Sequence, residues 1–371
     1  MKGAKVKDTE YGKLILKTTA AVTFLILYSF VLSAQSLRSG SASIHFNRLN
    51  TTDGLSNCTV YDLIQDHLGF LWFATDDGLN RFDGYSFEIF RHDPENRNSI
   101  TDNSVWAILE DSKYKIWAGT KRGELNRYDP VTAEFTSWKI KSDQTEENSI
   151  NFIYEDRNNF IWIGTYKSGL YKLDQSTGKI ENWEYIPGNY KSLSSNYVTS
   201  ISEDNSGNIW VGTYFGLNKL NPKSNKNEFI RYYSEQNDPG TISNNLVWNL
   251  TKSVIDSNLI WIGTANGLTR LEIKEQTSTE EEIIFSRVKI PNPDNLQFGN
   301  TAGSVLEEII ENDTILWVDS FAGLIRLNTS SGRIDRFISD KDDPNSLSNN
   351  HICGMIKDKS GVLWLATEYG I

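Results

Sequence analysis

The chain has 371 residues and a formal net charge of −11, from 37 basic and 48 acidic residues. This balance excludes a general nucleic-acid-binding surface, which would have to be basic. Two cysteines in so long a chain also exclude a disulfide framework. The 11 Trp, 16 Tyr and 17 Phe residues can build a large β-sheet core.

Residues 1–34 predict an export signal rather than a part of the fold. A lysine-rich start precedes the apolar run 18–32, and the small residue Ala34 follows it, which is the order found in a secretory signal peptide. The run is shorter than the roughly 20 residues that a membrane span needs, and an uncleaved anchor is the alternative. Either interpretation places the rest of the chain outside the cytoplasm, in the periplasm. Residues 35–43 are Ser-rich and predict a flexible linker.

Residues 44–371 carry one motif seven times. It consists of an apolar residue, a Trp, a second apolar residue and usually Gly-Thr, followed within a few residues by a Gly, as in 161–169. A period of this length predicts a repeat architecture. The tryptophans of the motif are 45 to 56 residues apart, and they are Trp72, Trp117, Trp162, Trp210, Trp261, Trp317 and Trp364.

Each repeat predicts four short strands. In the second repeat they lie near 103–111, 116–120, 124–128 and 134–138, and Gly, Pro, Asn and Asp residues separate them. Four strands in each of seven repeats predict an all-β, seven-bladed β-propeller. The repeated Trp is interpreted as packing between neighbouring blades, because a single ligand site would not need seven copies.

The two ends of the chain are expected to meet in blade seven. Residues 44–49 match the fourth strand of a repeat, whereas 351–357 and 362–367 predict the first and second strands of the last one. A third strand should begin at Gly370, and the chain ends at Ile371. We therefore expect blade seven to be incomplete, the amino-terminal strand to lack its neighbour, and the chain to be a fragment of a longer protein.

One face of the predicted propeller carries the loops between second and third strands and the loops that enter each first strand. Aromatic planes beside charged and amide groups suit sugar rings, whose C–H faces stack and whose hydroxyls form hydrogen bonds. Each residue alone also fits a packing or solvated-loop role, and Trp106 and Trp248 in the first strands are interpreted as packing. The candidate ligand-binding residues are Asp77, Lys121, Arg122, Tyr166, Lys167, Tyr214, Phe215, Asn266 and Phe321.

The motifs of common catalytic and metal sites are missing from the sequence. The four histidines are scattered without metal-ligand spacing, and Asp-rich turns such as 204–207 are interpreted as hairpin turns rather than calcium sites. There is no Gly-x-Ser-x-Gly elbow and no phosphate loop. Cys58 and Cys353 fall in neighbouring blades at non-equivalent positions, which does not favour a disulfide. We expect no catalytic residue, no metal and no cofactor.

The repeat at 196–217 resembles the two-component regulator propeller repeat, and 54–84 resembles the start of the sensor region of Bacteroidetes hybrid two-component systems. The resemblance covers 44–371, although blade six departs from it with Asp319-Ser320 and a poor first strand at 305–311. It implies a dimeric periplasmic sensor of two propellers and a β-sandwich that responds to glycan-derived oligosaccharides. It also implies a membrane helix, histidine kinase, receiver and DNA-binding regulator, which this chain does not contain.

The leading expectation is therefore a non-catalytic sensor propeller of a phosphorelay system. Its partners would be an oligosaccharide, the remainder of the sensor and a second copy, without nucleic acid. A secreted propeller enzyme acting on polysaccharide is one alternative, with carboxylates such as Asp76 and Asp77. Two adjacent acids on one loop would not flank a glycosidic bond from opposite sides. The other alternative is an interaction scaffold without a small ligand.

Overall fold

The computed structural model describes residues 44–140, 148–223, 227–275, 281–292 and 295–371. The predicted export signal and linker lie outside this part of the chain. No helix among the described residues has both the length and the apolar character needed to cross a membrane. The described ranges form 26 β-strands and one short 3-10 helix, Thr51–Asp53.

Six antiparallel sheets have four strands each, paired in chain order, and each sheet is one blade. Blade one contains β1 (Val60–Gln65), β2 (Leu71–Thr75), β3 (Gly78–Phe82) and β4 (Phe87–Phe90). Blade two contains β5 (Val105–Glu110), β6 (Ile116–Thr120), β7 (Glu124–Asp129) and β8 (Glu134–Lys139). Blade three contains β9 (Ile150–Glu155), β10 (Phe160–Thr165), β11 (Leu170–Asp174) and β12 (Ile180–Trp183).

The next three blades follow the same order. Blade four contains β13 (Val198–Glu203), β14 (Ile209–Thr213), β15 (Gly216–Leu220) and β16 (Phe229–Tyr232). Blade five contains β17 (Val247–Lys252), β18 (Leu259–Thr264), β19 (Gly267–Glu275) and β20 (Glu281–Val288). Blade six contains β21 (Val305–Ile310), β22 (Asp313–Val318), β23 (Leu324–Asn328) and β24 (Ile334–Phe337).

The prediction of seven blades was wrong, because the structure contains six. The last repeat forms only a two-stranded sheet, β25 (Ile352–Lys357) and β26 (Leu363–Thr367), which we call the seventh unit. Beyond β26 a single bridge joins Thr367 to Gly370. Among the described residues this unit has no third or fourth regular strand, since a regular strand needs several successive residues that pair with the same neighbour.

The amino-terminal segment nevertheless reaches the seventh unit. It is not a regular strand, but the N–H and C=O groups of Leu49 exchange hydrogen bonds with those of Ile371, at 2.9 and 3.0 Å. The expectation that this segment would lack its neighbour is therefore wrong at Leu49, which pairs with Ile371. The side chain of Arg48 donates hydrogen bonds to the carbonyl groups of Asp343, Ser346 and Leu347 at 3.0 to 3.2 Å. Arg231, on the fourth strand of blade four, holds the equivalent carbonyls of Asn189, Ser192 and Leu193.

The core consists of hydrophobic clusters between successive units of the ring. The cluster that closes the ring joins Leu71 and Phe73 of blade one to Ala366 and Ile371 of the seventh unit, with Leu49 packed against it. Strands β25 and β26 also contact β1. The six blades and the seventh unit therefore form one closed ring.

A turn carboxylate orients the Trp of most repeats. In blade three the indole N–H of Trp162 donates to Asp156 at 2.8 Å, while the other carboxylate oxygen accepts the backbone N–H groups of Asn158 and Phe160. One aspartate thus closes the turn between first and second strands and fixes the buried indole. The same bond joins Asp66 to Trp72, Asp111 to Trp117, Asp204 to Trp210 and Asp358 to Trp364.

The Gly of the Gly-Thr motif lets successive blades approach closely. A Cβ atom added at Gly164 would lie 2.6 Å from a methyl carbon of Val198 on the next blade. In blade six this position is Asp319, whose buried carboxylate accepts the N–H of Ser304 at 3.0 Å. Blade six, whose Asp319-Ser320 departs from the Gly-Thr motif, also differs in structure. Its first strand β21 pairs with β22 without the register shift seen in the first strands of the other repeats.

Candidate ligand site at the channel mouth

The first strands of the ring line a central channel. The channel contains a cavity of about 310 Å³ whose wall is formed by both aromatic and polar side chains. The residues at its wall include Tyr61, Asp62, Trp106, Asn151, Thr199, Trp248, Ser304 and Cys353.

A β-bulge selects the side chains that point into this channel. In blades one to five and in the seventh unit, the first strand carries one extra residue directly after its first residue. Such bulges re-aim a side chain, and all six extra residues line the channel cavity. They are Tyr61, Trp106, Asn151, Thr199, Trp248 and Cys353, so the scaffold repeats while the channel side chain changes.

Six rings form a continuous series at one mouth of the channel, which we call the aromatic arc: Tyr166, Tyr197, Tyr214, Trp248, Phe321 and His351. Neighbouring ring centroids lie 5.0, 5.3, 5.7, 4.9 and 4.3 Å apart in this order. The rings come from blades three to six and the seventh unit, and all six are partly exposed. The arc is therefore assembled from distant parts of the chain and presents stacking surfaces to solvent.

Trp248 connects the arc to the channel and has an unused donor. Its indole nitrogen is buried and has no hydrogen-bond acceptor in the described part of the chain. A buried donor without an acceptor costs about 1–3 kcal/mol. An oxygen atom of a molecule bound against Trp248 would remove this cost.

A second aromatic pair lies across the mouth, on blades one and two. The rings of Tyr61 and Trp106 stack with centroids 4.8 Å apart. Asp76 accepts hydrogen bonds from the Tyr61 hydroxyl at 2.8 Å and the Ser104 hydroxyl at 2.6 Å. Burial, followed by the hydrogen bond to Asp76, raises the pKa of Tyr61, so its hydroxyl stays a donor. The ammonium group of Lys121 lies 6.0 Å from the Trp106 ring.

Two carboxyl groups near the channel have raised pKa values. Burial raises the pKa of Asp62 to about 7, although the N–H groups of Leu63 and Ile108 donate to it. Burial also raises the pKa of Asp319 to about 7, against hydrogen bonds from Ser304. Burial and the nearby acids raise the pKa of the Cys353 thiol to about 12, so it remains protonated at neutral pH and is a poor nucleophile.

The described residues contain no group of three or more His, Cys, Asp or Glu side chains that could hold a metal ion. Both cysteines are free thiols. The channel mouth therefore offers aromatic stacking surfaces, hydroxyl groups and carboxylates. These are the groups that bind a neutral, hydroxyl-rich molecule.

Five of the residues singled out from the sequence lie at the mouth. Tyr166, Tyr214 and Phe321 belong to the aromatic arc, and Lys121 adjoins Trp106. The ammonium group of Lys167 is 5.9 Å from the Tyr166 ring centroid.

The other four candidates are placed differently. Asp77 forms a two-point ion pair with Arg91 at 2.8 and 3.0 Å. Arg122 is largely exposed, 3.7 Å from Asp102. Phe215 is 63% exposed, and no ring contact joins it to the arc within the described residues. Asn266 lines another cavity, formed by blade five and the loop that follows it. The structure thus brings these four neither to the arc nor to one another.

Sequence reasoning missed several residues of the mouth. Tyr61, Tyr197 and His351 were not singled out, and Trp106 and Trp248 were interpreted as packing residues. The sequence does contain a signal for the channel-lining residues. The residue directly after the first apolar residue of each first strand varies from repeat to repeat, whereas its neighbours are similar. Only the bulge, however, shows that this side chain faces the channel.

A sequence model described as the two component regulator propeller matches residues 54–77, 99–122, 146–167, 192–215 and 346–369. The chain thus carries two-component regulator propeller repeats. The matched repeats are those of blades one to four and the seventh unit, in which the turn aspartate binds the Trp. In the unmatched blades five and six, the Trp261 and Trp317 N–H groups donate instead to Glu307 and Glu308.

One relative is a "Histidine kinase P4" of Formosa agariphila, 44% identical over 77 residues, which cover 21% of this chain and 6% of that protein. The extracellular domain of a hybrid two component system of B. thetaiotaomicron matches with 25% identity and a TM-score of 0.67. That match covers 88% of this chain and 41% of the solved one. PorZ of Porphyromonas gingivalis shares the fold, with 14% identity, a TM-score of 0.54, and coverage of 84% and 46%. The chain thus spans less than half the length of these relatives.

Proposed function

We propose that this propeller of two-component regulator repeats is the non-catalytic ligand-recognition part of a periplasmic sensor, and that it binds a glycan-derived oligosaccharide at the channel mouth. The observation that carries the proposal is the aromatic arc, which includes Trp248 with its unused N–H. The similarity to the extracellular domain of a hybrid two component system supports a sensor role outside the cytoplasm.

The spacing of the arc favours an extended ligand. Tyr197, Tyr214, Trp248 and Phe321 follow one another at about 5 Å, so several rings are available in succession rather than one. Pyranose rings place C–H faces on such surfaces and direct hydroxyl groups to neighbouring polar atoms. The Trp248 N–H and the Asp76 carboxylate are then a donor and an acceptor for those hydroxyls.

Signal transfer would use parts of the protein beyond this propeller. The relatives are longer than this chain, and a histidine kinase is named among them. A sugar bound at the mouth would act by favouring one arrangement of a dimeric receptor over another. It can shift that equilibrium only by its difference in affinity for the two arrangements.

The enzyme alternative has one observation in its favour. Asp62 and Asp319 have pKa values raised to about 7, which suits a general acid at neutral pH. Both groups, however, accept hydrogen bonds from their own scaffold, Asp62 from Leu63 and Ile108 and Asp319 from Ser304. These bonds give each carboxyl group a structural role that accounts for its burial without catalysis. We therefore favour the sensor over the enzyme.

The test is calorimetric titration of the full chain with a panel of oligosaccharides, with reducing-end release measured on the same samples. We expect saturable binding without release of new reducing ends. Release of reducing ends that Asp62→Asn abolishes would establish the enzyme instead. Absence of binding together with concentration-dependent self-association would establish the scaffold.

A further inference from the structure

Blade five lacks an aromatic ring that the other five blades possess. In those blades the motif Trp stacks on an aromatic residue of the fourth strand, with ring centroids 5.2 to 6.0 Å apart. The pairs are Trp72 with Phe90, Trp117 with Trp138, Trp162 with Trp183, Trp210 with Tyr232, and Trp317 with Phe337.

Strand register identifies the residue that replaces this ring. Each fourth-strand aromatic residue pairs with a leucine at the start of the third strand, as Phe90 pairs with Leu79 and Phe337 with Leu324. In blade five the corresponding leucine is Leu268, and its partner is Val288. A small aliphatic side chain, Val288, therefore lies where the other blades have a Phe, Tyr or Trp ring.

Trp261 also differs from the other motif tryptophans in having no Arg or Lys over its ring among the described residues. In the other five blades a third-strand Arg or Lys lies 5.5 to 5.7 Å from the indole ring. The equivalent Arg270 forms an ion pair with Glu272 at 2.5 Å. Among the described residues, Trp261 thus has neither a stacked ring nor a cation over its face.

A cavity of about 610 Å³ opens beside this position, between blades five and six, and Trp261 is 5% exposed. This volume lies in the range of small-molecule sites. Trp261 forms part of the wall and is held in place by its N–H, which donates to Glu307 at 2.8 Å. The apolar part of the wall includes Leu259, Trp261, Val288, Leu316, Leu327 and Ile334, and hydroxyl groups of Ser253, Thr314 and Thr329 belong to residues of the same wall.

The wall carries two carboxylates, Asp256 and Glu307, and two cations, Arg270 and Lys289. Glu307 already accepts hydrogen bonds from the Ser253 hydroxyl and the Val254 N–H as well as from Trp261. Lys289 lines the cavity, is exposed, and forms no ion pair within the part of the chain that the structure describes. Because Arg270 is paired with Glu272, Lys289 is the cation of this wall that can take an additional carboxylate.

We propose that the cavity between blades five and six is a second binding site, separate from the channel mouth, for a small planar aromatic carboxylate. The ligand ring lies in the cavity beside Val288 and the exposed edge of Trp261, and its carboxylate pairs with Lys289.

The test is calorimetric titration of the full chain with indole-3-acetate as the probe. We expect saturable binding at one site, and weaker binding of neutral indole. Val288→Trp, which fills the cavity from within the protein, should weaken binding by at least about tenfold. Lys289→Met should weaken binding of indole-3-acetate but not of indole, whereas the control Lys274→Met, on the same hairpin outside the cavity, should change neither.

The melting temperature shows whether each variant has folded, and Val288→Phe serves as a second filling variant. Equal binding of the probe by the wild type and by a folded filling variant would overturn the proposal, as would the absence of saturable binding by the wild type. Loss of binding in Trp248→Phe would instead place the probe at the channel mouth. Oligosaccharide binding should persist in Val288→Trp, so this site and the proposed sensor function can fail independently.

Discussion

The rings of Tyr197 and Tyr214 stack nearly parallel, with centroids 5.3 Å apart and planes 12° apart. Tyr197 precedes the first strand of blade four, and Tyr214 follows its second strand. The backbone N–H of Tyr214 donates to the carbonyl of Tyr197 at 3.1 Å, which holds the two loops together. The stacked pair therefore lies at the centre of the aromatic arc on a scaffold fixed by the backbone.

Replacing rings of the arc should weaken oligosaccharide binding. Tyr214→Ala removes a stacking surface and is expected to raise Kd about tenfold, because stacking contributes about 0.5–1.5 kcal/mol beyond area burial. Trp248→Phe keeps a ring and removes the unused N–H, and is expected to raise Kd about fivefold. Calorimetric titration with the best oligosaccharide of the panel measures both.

Phe215 provides the matched control for these variants. It adjoins Tyr214 in sequence, but among the described residues no ring contact joins it to the arc, so Phe215→Ala should leave Kd unchanged. A loss of affinity in Phe215→Ala that equals the loss in Tyr214→Ala would argue against the arc as the binding surface.

The turn aspartate should contribute strongly to stability. Asp111→Ala removes the acceptor of the buried Trp117 N–H and of the Lys113 and Lys115 backbone N–H groups. We expect the free energy of unfolding to fall by about 2–4 kcal/mol, measured by urea denaturation. Glu228→Ala, which breaks only the exposed ion pair with Lys191, should cost under about 1 kcal/mol. Similar losses in the two variants would refute this role of the aspartate.

Close approach between blades makes Gly164 sensitive to any side chain. Gly164→Ala places a Cβ atom 2.6 Å from a methyl carbon of Val198, and should lower the free energy of unfolding by about 1–3 kcal/mol. Val198→Ala removes that methyl carbon, so the double variant should lose less stability than the two single variants combined. Additive losses in this double-mutant cycle would show that the two residues do not interact.

Asp62 should make stability fall as the pH rises. Burial raises the pKa of Asp62 from the ordinary 3.8 to about 7, so the folded protein retains a proton that the unfolded chain releases. The contribution of the protonated group is fully present below about pH 4 and is lost as the pH rises through about 7.

The Asp62→Asn variant isolates this effect, because all other groups titrate in both proteins. Relative to the wild type, the free energy of unfolding of the variant should increase by about 2–4 kcal/mol between pH 4 and pH 7. A constant offset is expected in addition, since an amide cannot accept from both Leu63 and Ile108 as the carboxylate does. Parallel stability curves, from urea denaturation at each pH, would show that Asp62 does not titrate in this range.

Much of the architecture could be predicted because each blade is encoded locally. The second strand predicted at 116–120 is β6, Ile116–Thr120, and the fourth predicted at 134–138 differs from β8, Glu134–Lys139, by one residue. Alternation of apolar residues between turn residues is a short-range pattern, so a single repeat contains enough information to place its strands.

The candidate site was harder to predict, because a side chain's direction depends on register. Asp76 and Asp77 are adjacent, yet Asp76 faces Tyr61 and Ser104, whereas Asp77 turns to Arg91. Trp106 and Trp248 were interpreted as packing residues, although a one-residue bulge directs each of them to the channel. A shift of one residue reverses the face on which a strand side chain lies.

The sequence by itself determined the repeat and the positions of most strands, because these depend on neighbours within one period. The tertiary structure alone decided that six blades are complete, that Leu49 meets Ile371, and which rings form the arc. The replacement of the fourth-strand ring by Val288 in blade five also became visible only when the register had paired Val288 with Leu268. These features depend on contacts between residues from different repeats or opposite ends of the chain, and such contacts exist only after the ring has closed.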